Sequence, residues 1–167
     1  MADLTAVRPH WEIQGRAGRN VDCLPMFVHE RLKHGYLGRL VIALGTNAVK
    51  PWKKADYQAV VDMVPPTTIV LFVNTYRDPA LWPNDETNPF RTQAGVQYWY
   101  SKDMAAIAAA RPSTCVANWR SYAANHPDML RDGTHPTKPG HQQWANIVDT
   151  AATACVREKV GSPSGTG

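Results

Sequence analysis

The sequence predicts an α/β protein built on a doubly wound parallel sheet with helices on both faces. Three short runs rich in β-branched residues, Leu40–Leu44, Thr68–Val73 and Thr114–Ala117, are nearly continuous in apolar character rather than alternating. Strands buried on both faces of a parallel sheet read this way. Helical patterns separate the runs, and regular alternation of strand and helix is the mark of that class.

Taken in order, Trp11–Gln14 reads as a short strand leading into a Gly15-Arg16-Ala17-Gly18 turn. Leu24–Lys33 follows as a helix that tolerates Pro25 in its first turn. Asp56–Met63 places Ala59, Val60 and Met63 on one side, and Pro65-Pro66 stops it. Arg77–Asn88 is rich in Pro, Asp and Asn and reads as a loop beside the sheet. Gln93–Ala110 is a long helix with Val96, Tyr100, Met104 and Ile107 at helical spacing, and Tyr98, Trp99 and Tyr100 divide between its core and surface sides, with sugar stacking by one of them left as an alternative. A further helix starts near Ser121, and Gln142–Glu158 puts Trp144, Ile147, Val148, Ala151 and Cys155 on one face. Residues 1–160 are expected to form one domain, and the Gly/Ser/Pro-rich segment 161–167 a disordered tail. There is no internal repeat.

The 167 residues suffice to bury roughly 70% of the surface of the unfolded chain. A composition of 44% hydrophobic and 19% charged residues is that of an ordinary globular domain. The net charge of +4 is spread along the chain, with one cluster at Lys50, Lys53 and Lys54 around Trp52. That cluster reads as a solvated loop rather than a phosphate-binding face, so nucleic acid is not an expected partner. No apolar run is long enough to span a bilayer, and the N-terminus lacks the charged start and apolar core of a signal peptide. Cys23, Cys115 and Cys155 are an odd number without Cys-x-x-Cys spacing, which argues against a metal knuckle. Cys115 and Cys155 read first as small core residues, with a disulfide open to them in an oxidising compartment. His126, His135 and His141 lack the helical spacing or cysteine partners of a zinc site, so no metal or cofactor is expected. His126, before Pro127, reads as a loop cap.

In such a sheet ligands bind at the C-terminal ends of the strands. That rule selects Gly18, Gly45-Thr46-Asn47, Asn74-Thr75-Tyr76 and Asn118-Trp119, each following a strand. The stretch Asp132-Gly133-Thr134-His135, in the loop before the last helix, reaches the same edge. A carboxylate three residues before a histidine can orient the imidazole and fix its tautomer, which is two thirds of a nucleophile–histidine–carboxylate triad. An asparagine amide at the Asn47 position can stabilise a developing oxyanion by about 3–4 kcal/mol, or simply cap the next turn. Gly18 taken alone is a turn glycine.

The order strand–Gly18, strand–Gly45-Thr46-Asn47 and late Asp132-x-x-His135 before a helix resembles the SGNH hydrolase family, the GDSL-like esterases and acyltransferases. The similarity runs over roughly residues 11–155 and is nearest to the SGNH domains attached to membrane O-acyltransferases. It includes Leu40-Val41-Ile42-Ala43-Leu44 before the Gly-Thr-Asn, the strand end Val70–Thr75, Asn118–Ser121, and Pro136-Thr137-Lys138-Pro139-Gly140 after His135. The resemblance implies a flavodoxin-like three-layer fold. It implies His135 as general base, Asp132 as its orienting carboxylate, and Asn47 with the backbone N–H of Gly18 as oxyanion donors. The implied reaction is ester hydrolysis or O-acyl transfer through a covalent acyl-enzyme, on small-molecule or glycan acetyl esters, without metal or nucleotide. Domains of that kind are attached to membrane acyltransferases and work outside the cytoplasm, which is the partner and the localisation the resemblance implies here.

The family's nucleophile is the serine of a Gly-Asp-Ser motif ending a first, central strand, upstream of the glycine that Gly18 matches. Residues 1–16 contain no serine. Ser101 falls inside a helix, Ser113 before a strand, Ser121 at a helix start, and Ser162 and Ser164 in the tail, so none has the required strand-end context. Cys23 reads as a packed residue at a helix start rather than a substitute thiol. The domain is therefore expected to lack its first central strand, leaving a gap unless Trp11–Gln14 and Leu40–Leu44 pair directly. The chain as written is expected to be an SGNH-type esterase or acyltransferase domain, N-terminally incomplete and without turnover of its own. The alternative is a non-catalytic relative that binds acylated glycans or esters.

Overall fold

The middle strand of the sheet shows why these apolar runs form strands rather than helices. Val70, Leu71, Phe72 and Val73 are all buried, with Val70 and Phe72 in one apolar cluster and Leu71 and Val73 in the other. A strand that must satisfy two cores has no polar face to show. In the computed structural model, which describes residues 2–15, 18–47, 52–83 and 94–161, this strand is β2 (Ile69–Val73). It pairs in parallel with β1 (Arg39–Ile42) on one side and β3 (Thr114–Ala117) on the other. The register sets Arg39 beside Ile69 and Val70 beside Thr114.

The described residues also hold six α-helices: α1 (Ala2–Val7), α2 (Leu24–Leu32), α3 (Lys54–Asp62), α4 (Ala94–Ala110), α5 (Trp119–Asn125) and α6 (Lys138–Gly161). Val28 of α2, Val60 and Val61 of α3, and Tyr100, Met104 and Ile107 of α4 share the first cluster with Ile42, Val70 and Phe72. Leu4 of α1, Trp119 and Ala123 of α5, and Ala145, Val148 and Ala152 of α6 share the second with Leu71, Val73 and Ala117. The result is the three-layer α/β arrangement expected from the alternation. None of the helices is long and apolar enough to cross a membrane.

Several elements differ from expectation. Trp11–Gln14 is not a strand. A strand is stable only when a neighbour completes its ladder, and among the described residues nothing pairs with this segment. The chain before it forms α1 instead, which packs on α6. Arg8 forms an ion pair with Asp149 of α6 and lies 5.4 Å from the Trp11 ring centroid. The outer edge of β1 consequently has no strand partner among the described residues. Beside it lies a cavity of about 230 Å³ lined by Arg8, Trp11, Leu40, Val41, Leu71 and Val156, among others.

The face of α3 is also shifted. Tyr57, Val60 and Val61 are buried while Ala59 is exposed, because the larger side chains gain more from burial. Helix α6 starts four residues earlier than its apolar pattern, at Lys138, since Pro139 is favourable in a first helical turn. The expected loop over Arg77–Asn88 is irregular through residue 83, and its remainder, like Gln93, Lys50 and residues 162–167, lies outside the described residues.

Cys115 and Cys155 are not merely packed together. They form a disulfide that joins β3 to α6 across 40 residues of sequence. Closing a loop of that length in the unfolded chain corresponds to about 4 kcal/mol of stabilisation. Urea unfolding with and without dithiothreitol should therefore differ by about that amount, and a Cys115→Ser, Cys155→Ser double variant should be insensitive to the reductant.

Candidate active site

The Asp132-Gly133-Thr134-His135 stretch folds back on its own carboxylate. Asp132 Oδ1 accepts hydrogen bonds from the backbone N–H of Thr134 (3.1 Å) and of His135 (2.8 Å), the local turn that short acidic side chains favour. Asp132 Oδ2 lies 2.8 Å from His135 Nδ1. Gly133 makes the turn possible. Its φ of +73° is the left-handed region, and a Cβ there would sit 2.8 Å from the Cβ of Asp78.

This geometry sets the electrostatics. The His135 backbone N–H is the main force lowering the Asp132 carboxyl from 3.8 to about 2, helped by the His135 side chain and the Thr134 N–H. Beside a carboxylate that is ionised at neutral pH, the neutral imidazole carries its proton on Nδ1, so Nε2 is left as the acceptor. Nε2 has no partner among the described residues, and about half of each side chain is open to solvent (56% for His135, 48% for Asp132). The pair can take a proton from a hydroxyl brought to it and return it to a leaving group.

The rest of the strand-end rim is tied to this turn through Arg77, which is only 3% exposed. Its Nη1 donates to Thr134 Oγ1 (3.3 Å) and its Nη2 to the carbonyl of Thr46 (3.0 Å). The guanidinium therefore spans the Gly45-Thr46-Asn47 turn and the Asp–His turn. Trp82 covers it at 4.3 Å and donates its indole N–H to the Asp132 carbonyl (2.8 Å). Asp78 N–H donates to the Gly133 carbonyl (2.8 Å), closing the turn from below.

Gly45 ends the β1 side with a φ of +143°, and a Cβ there would lie 2.9 Å from the Tyr57 hydroxyl. The fully buried Gln97 of α4 donates to the Gly45 carbonyl (3.0 Å). Asn47 is half-buried, its carbonyl accepts from the N–H of Val21 (2.9 Å), and its side-chain amide has no partner among the described residues. The Val21 bond brings the segment that follows Gly18 against Asn47. Gly18 itself is exposed in left-handed backbone (φ +70°).

Asn74 and Asn118 have a different use. Asn74 Nδ2 donates to Asn118 Oδ1 (3.0 Å), while Asn74 Oδ1 accepts from Arg120 N–H (2.7 Å) and Asn118 Oδ1 from Ser121 N–H (3.1 Å). They join the ends of β2 and β3 and cap α5.

No family profile matches this sequence, and no curated protein does. Among solved structures, the chain is similar to the C-terminal catalytic domain of Streptococcus pneumoniae peptidoglycan O-acetyltransferase A (OatA), solved with a methylsulfonyl adduct. The two superpose with a TM-score of 0.75 at 15% identity, over 92% of this chain and 86% of that one. The chain has the SGNH hydrolase fold. At that identity the likeness carries the fold, and the chemistry rests on the residues.

Within the SGNH fold the remaining candidates have structural employment. Ser101 is buried and donates to the carbonyl of Gln97 (2.9 Å). Ser113 donates to the Pro66 carbonyl, at the N-terminal end of the sheet. Ser121 lies in the first turn of α5, and Ser162 and Ser164 lie outside the described residues. No hydroxyl among the described residues bonds to His135. Cys23 is a free thiol immediately before α2. His126 closes α5, stacked on Tyr122 with ring centroids 4.0 Å apart. Lys53 and Lys54 are exposed at the start of α3, whereas Trp52 is buried and donates to Asp22 Oδ1 (3.0 Å), so it offers no stacking face beside them.

Sequence reasoning missed Arg77, Trp82 and Gln97. Gln97 had left a trace, since it shares a helical face with Tyr100 and Met104. Arg77 and Trp82 sit in irregular chain, where no periodicity marks an inward-facing side chain.

Two measurements follow from this geometry. The folded carboxyl of Asp132 sits below its unfolded value, so the turn's contribution to stability is complete above 3.8 and is lost as pH falls through about 2. The amide signals of Thr134 and His135 should therefore titrate with a midpoint near 2 in the NMR spectrum, and Asp132→Asn should abolish the transition. Arg77→Met keeps the stem against Trp82 but removes both hydrogen bonds. It should cost about 1–3 kcal/mol in urea unfolding and accelerate hydrogen exchange at Thr134.

Proposed function

We propose that this chain is the histidine–carboxylate half of an SGNH-type ester-processing site, acting in hydrolysis or O-acyl transfer on acyl esters, acetyl esters of carbohydrates foremost. The observation that carries the reading is the 2.8 Å contact of Asp132 Oδ2 with His135 Nδ1, on a carboxylate locked ionised by two backbone N–H groups, with Nε2 open. Turn stabilisation alone would need the backbone bonds but not the imidazole contact. In this reading His135 is the general base and Asp132 holds its tautomer. The side-chain amide of Asn47 and the backbone N–H of Gly18 receive the oxyanion of a tetrahedral intermediate.

The nucleophile is assigned to a strand that pairs with the open edge of β1 and ends in Gly-Asp-Ser, as the resemblance implies. The unpaired β1 edge and the cavity beside it support that placement. Without a nucleophile, turnover falls by about 10⁶. The alternative reading, a non-catalytic binder of acylated glycans or esters, is favoured by the lack of any hydroxyl bonded to His135 among the described residues. The Cys115–Cys155 disulfide favours a site outside the cytoplasm, and the likeness to a peptidoglycan O-acetyltransferase domain favours a glycan ester as substrate.

The test is hydrolysis of p-nitrophenyl acetate. The 167-residue chain should give background rates, while an extension ahead of residue 1 encoding an apolar strand that ends in Gly-Asp-Ser should raise them. His135→Ala should remove the gain. Extended protein that folds but stays inert would favour the binding role, and turnover by the unextended chain would place the nucleophile elsewhere.

A further inference from the structure

A second recognition element adjoins the Asp–His turn. Pro79, Ala94, Gly95, Tyr98 and Arg120 line a cleft of about 240 Å³. Pro79 directly follows Asp78, whose N–H holds the Gly133 carbonyl, so this part of the cleft wall is tied to the turn that carries the dyad. Arg120 is fixed to the strand ends, since its N–H donates to Asn74 Oδ1.

Arg120 is the unusual group. Its guanidinium lies 5.6 Å from the ring centroid of Tyr76 and 5.2 Å from that of Tyr98, and it has no hydrogen-bond or ion-pair acceptor among the described residues. Nη1 is buried and unpartnered. Partial burial of a guanidinium without an acid beside it is unfavourable, and the two ring faces compensate only in part. Asp78, whose Oδ1 accepts from Ala80 N–H in its own turn, forms no ion pair with it.

Aromatic surface continues from this cation. Tyr98 (40% exposed) and Trp99 (62% exposed) pack edge to face at 5.7 Å on the outer side of α4. Lys102 Nζ lies 5.0 Å and 5.7 Å from their ring centroids, and it too has no acidic partner among the described residues. Exposed aromatic faces with a polar tip suit a ligand that has both apolar C–H faces and hydroxyls. Two cations near the Tyr98 ring, neither with an acidic partner among the described residues, add a requirement for negative charge.

We infer that the Tyr98–Arg120 cleft is a subsite for a carboxylate-bearing sugar, with Arg120 receiving the carboxylate and Tyr98 stacking on the ring. A carboxylate is favoured over a phosphate. The single planar fork between two rings matches two coplanar oxygens, whereas a phosphate dianion is served by several converging donors. The inference rests on the ester-processing reading only for what the sugar is, an acceptor or an ester substrate. Binding itself requires no turnover.

The experiment is an NMR titration of the 167-residue protein with D-glucuronate, D-glucose and inorganic phosphate. Glucuronate should shift the Gly95, Tyr98 and Arg120 signals saturably and bind about tenfold or more tightly than glucose, as a charge-assisted hydrogen bond allows. Arg120→Gln should erase that preference while leaving the Thr134 and His135 amides unmoved. Arg120→Lys, which keeps the charge but not the fork, should retain only part of it and serves if the glutamine variant does not fold. Tyr98→Ala should weaken both sugars. Equal binding of glucuronate and glucose, the absence of saturable shifts, or phosphate displacing glucuronate at equal concentration would overturn the assignment. Esterase activity in the strand-extended protein without glucuronate binding would sink this subsite alone, and glucuronate binding without activity would sink only the catalytic reading.

Discussion

The buried guanidinium of Arg77 links two loops that arise from distant parts of the sequence. One follows β1 and carries Asn47, and the other precedes α6 and carries the Asp–His pair. Neither loop has regular structure to hold it, so their relative position depends on a cross-brace, and Arg77 is that brace through Thr46 and Thr134. Burial lowers the guanidinium's pKa, while the nearby Asp132 charge works in the opposite direction. The carboxylate that orients the imidazole thus also helps to keep its own scaffold charged. A change at either residue should be felt at both, since groups within one polar network do not act independently.

Around that brace the fold is economical in how it delivers groups to one edge. A parallel sheet sends every strand out at the same end, so the residues that follow β1, β2 and β3 share a rim without further design. Asn74 and Asn118 spend their side chains on fixing the ends of β2 and β3 to each other and to α5. The disulfide secures the other partner of the site, because α6 begins three residues after His135 and is bonded to β3 through Cys155. The histidine is therefore held at the start of a helix that is itself covalently attached to the sheet.

Much of this was legible in the residues. The three strands were marked by apolar runs that only a doubly covered sheet requires, and the Asp–His turn by a Gly at the one position where left-handed backbone is needed. Trp11–Gln14 misled because its apolar alternation suits a strand, yet strand formation depends on a neighbour that local sequence does not encode. Ala59 misled because a small residue fits either side of a helix. Arg77 and Arg120 were invisible for a related reason: whether an arginine points inward is decided by loop geometry and by rings far away in sequence. The pairing of Cys115 with Cys155 needed the packing of α6 on β3 before it could be distinguished from two separate core cysteines.

The open side of β1 has a consequence for the behaviour of the molecule in solution. An unpaired strand edge is a template for any other strand, including the same edge of another copy. Two features of β1 restrain such self-recognition. It is only four residues long, and it opens with the exposed Arg39, whose charge would face another positive charge if two copies aligned side by side in parallel. Arg39 thus weighs against parallel pairing of this edge with its own copy, while leaving it able to accept a strand that brings no charge there, or an opposite one.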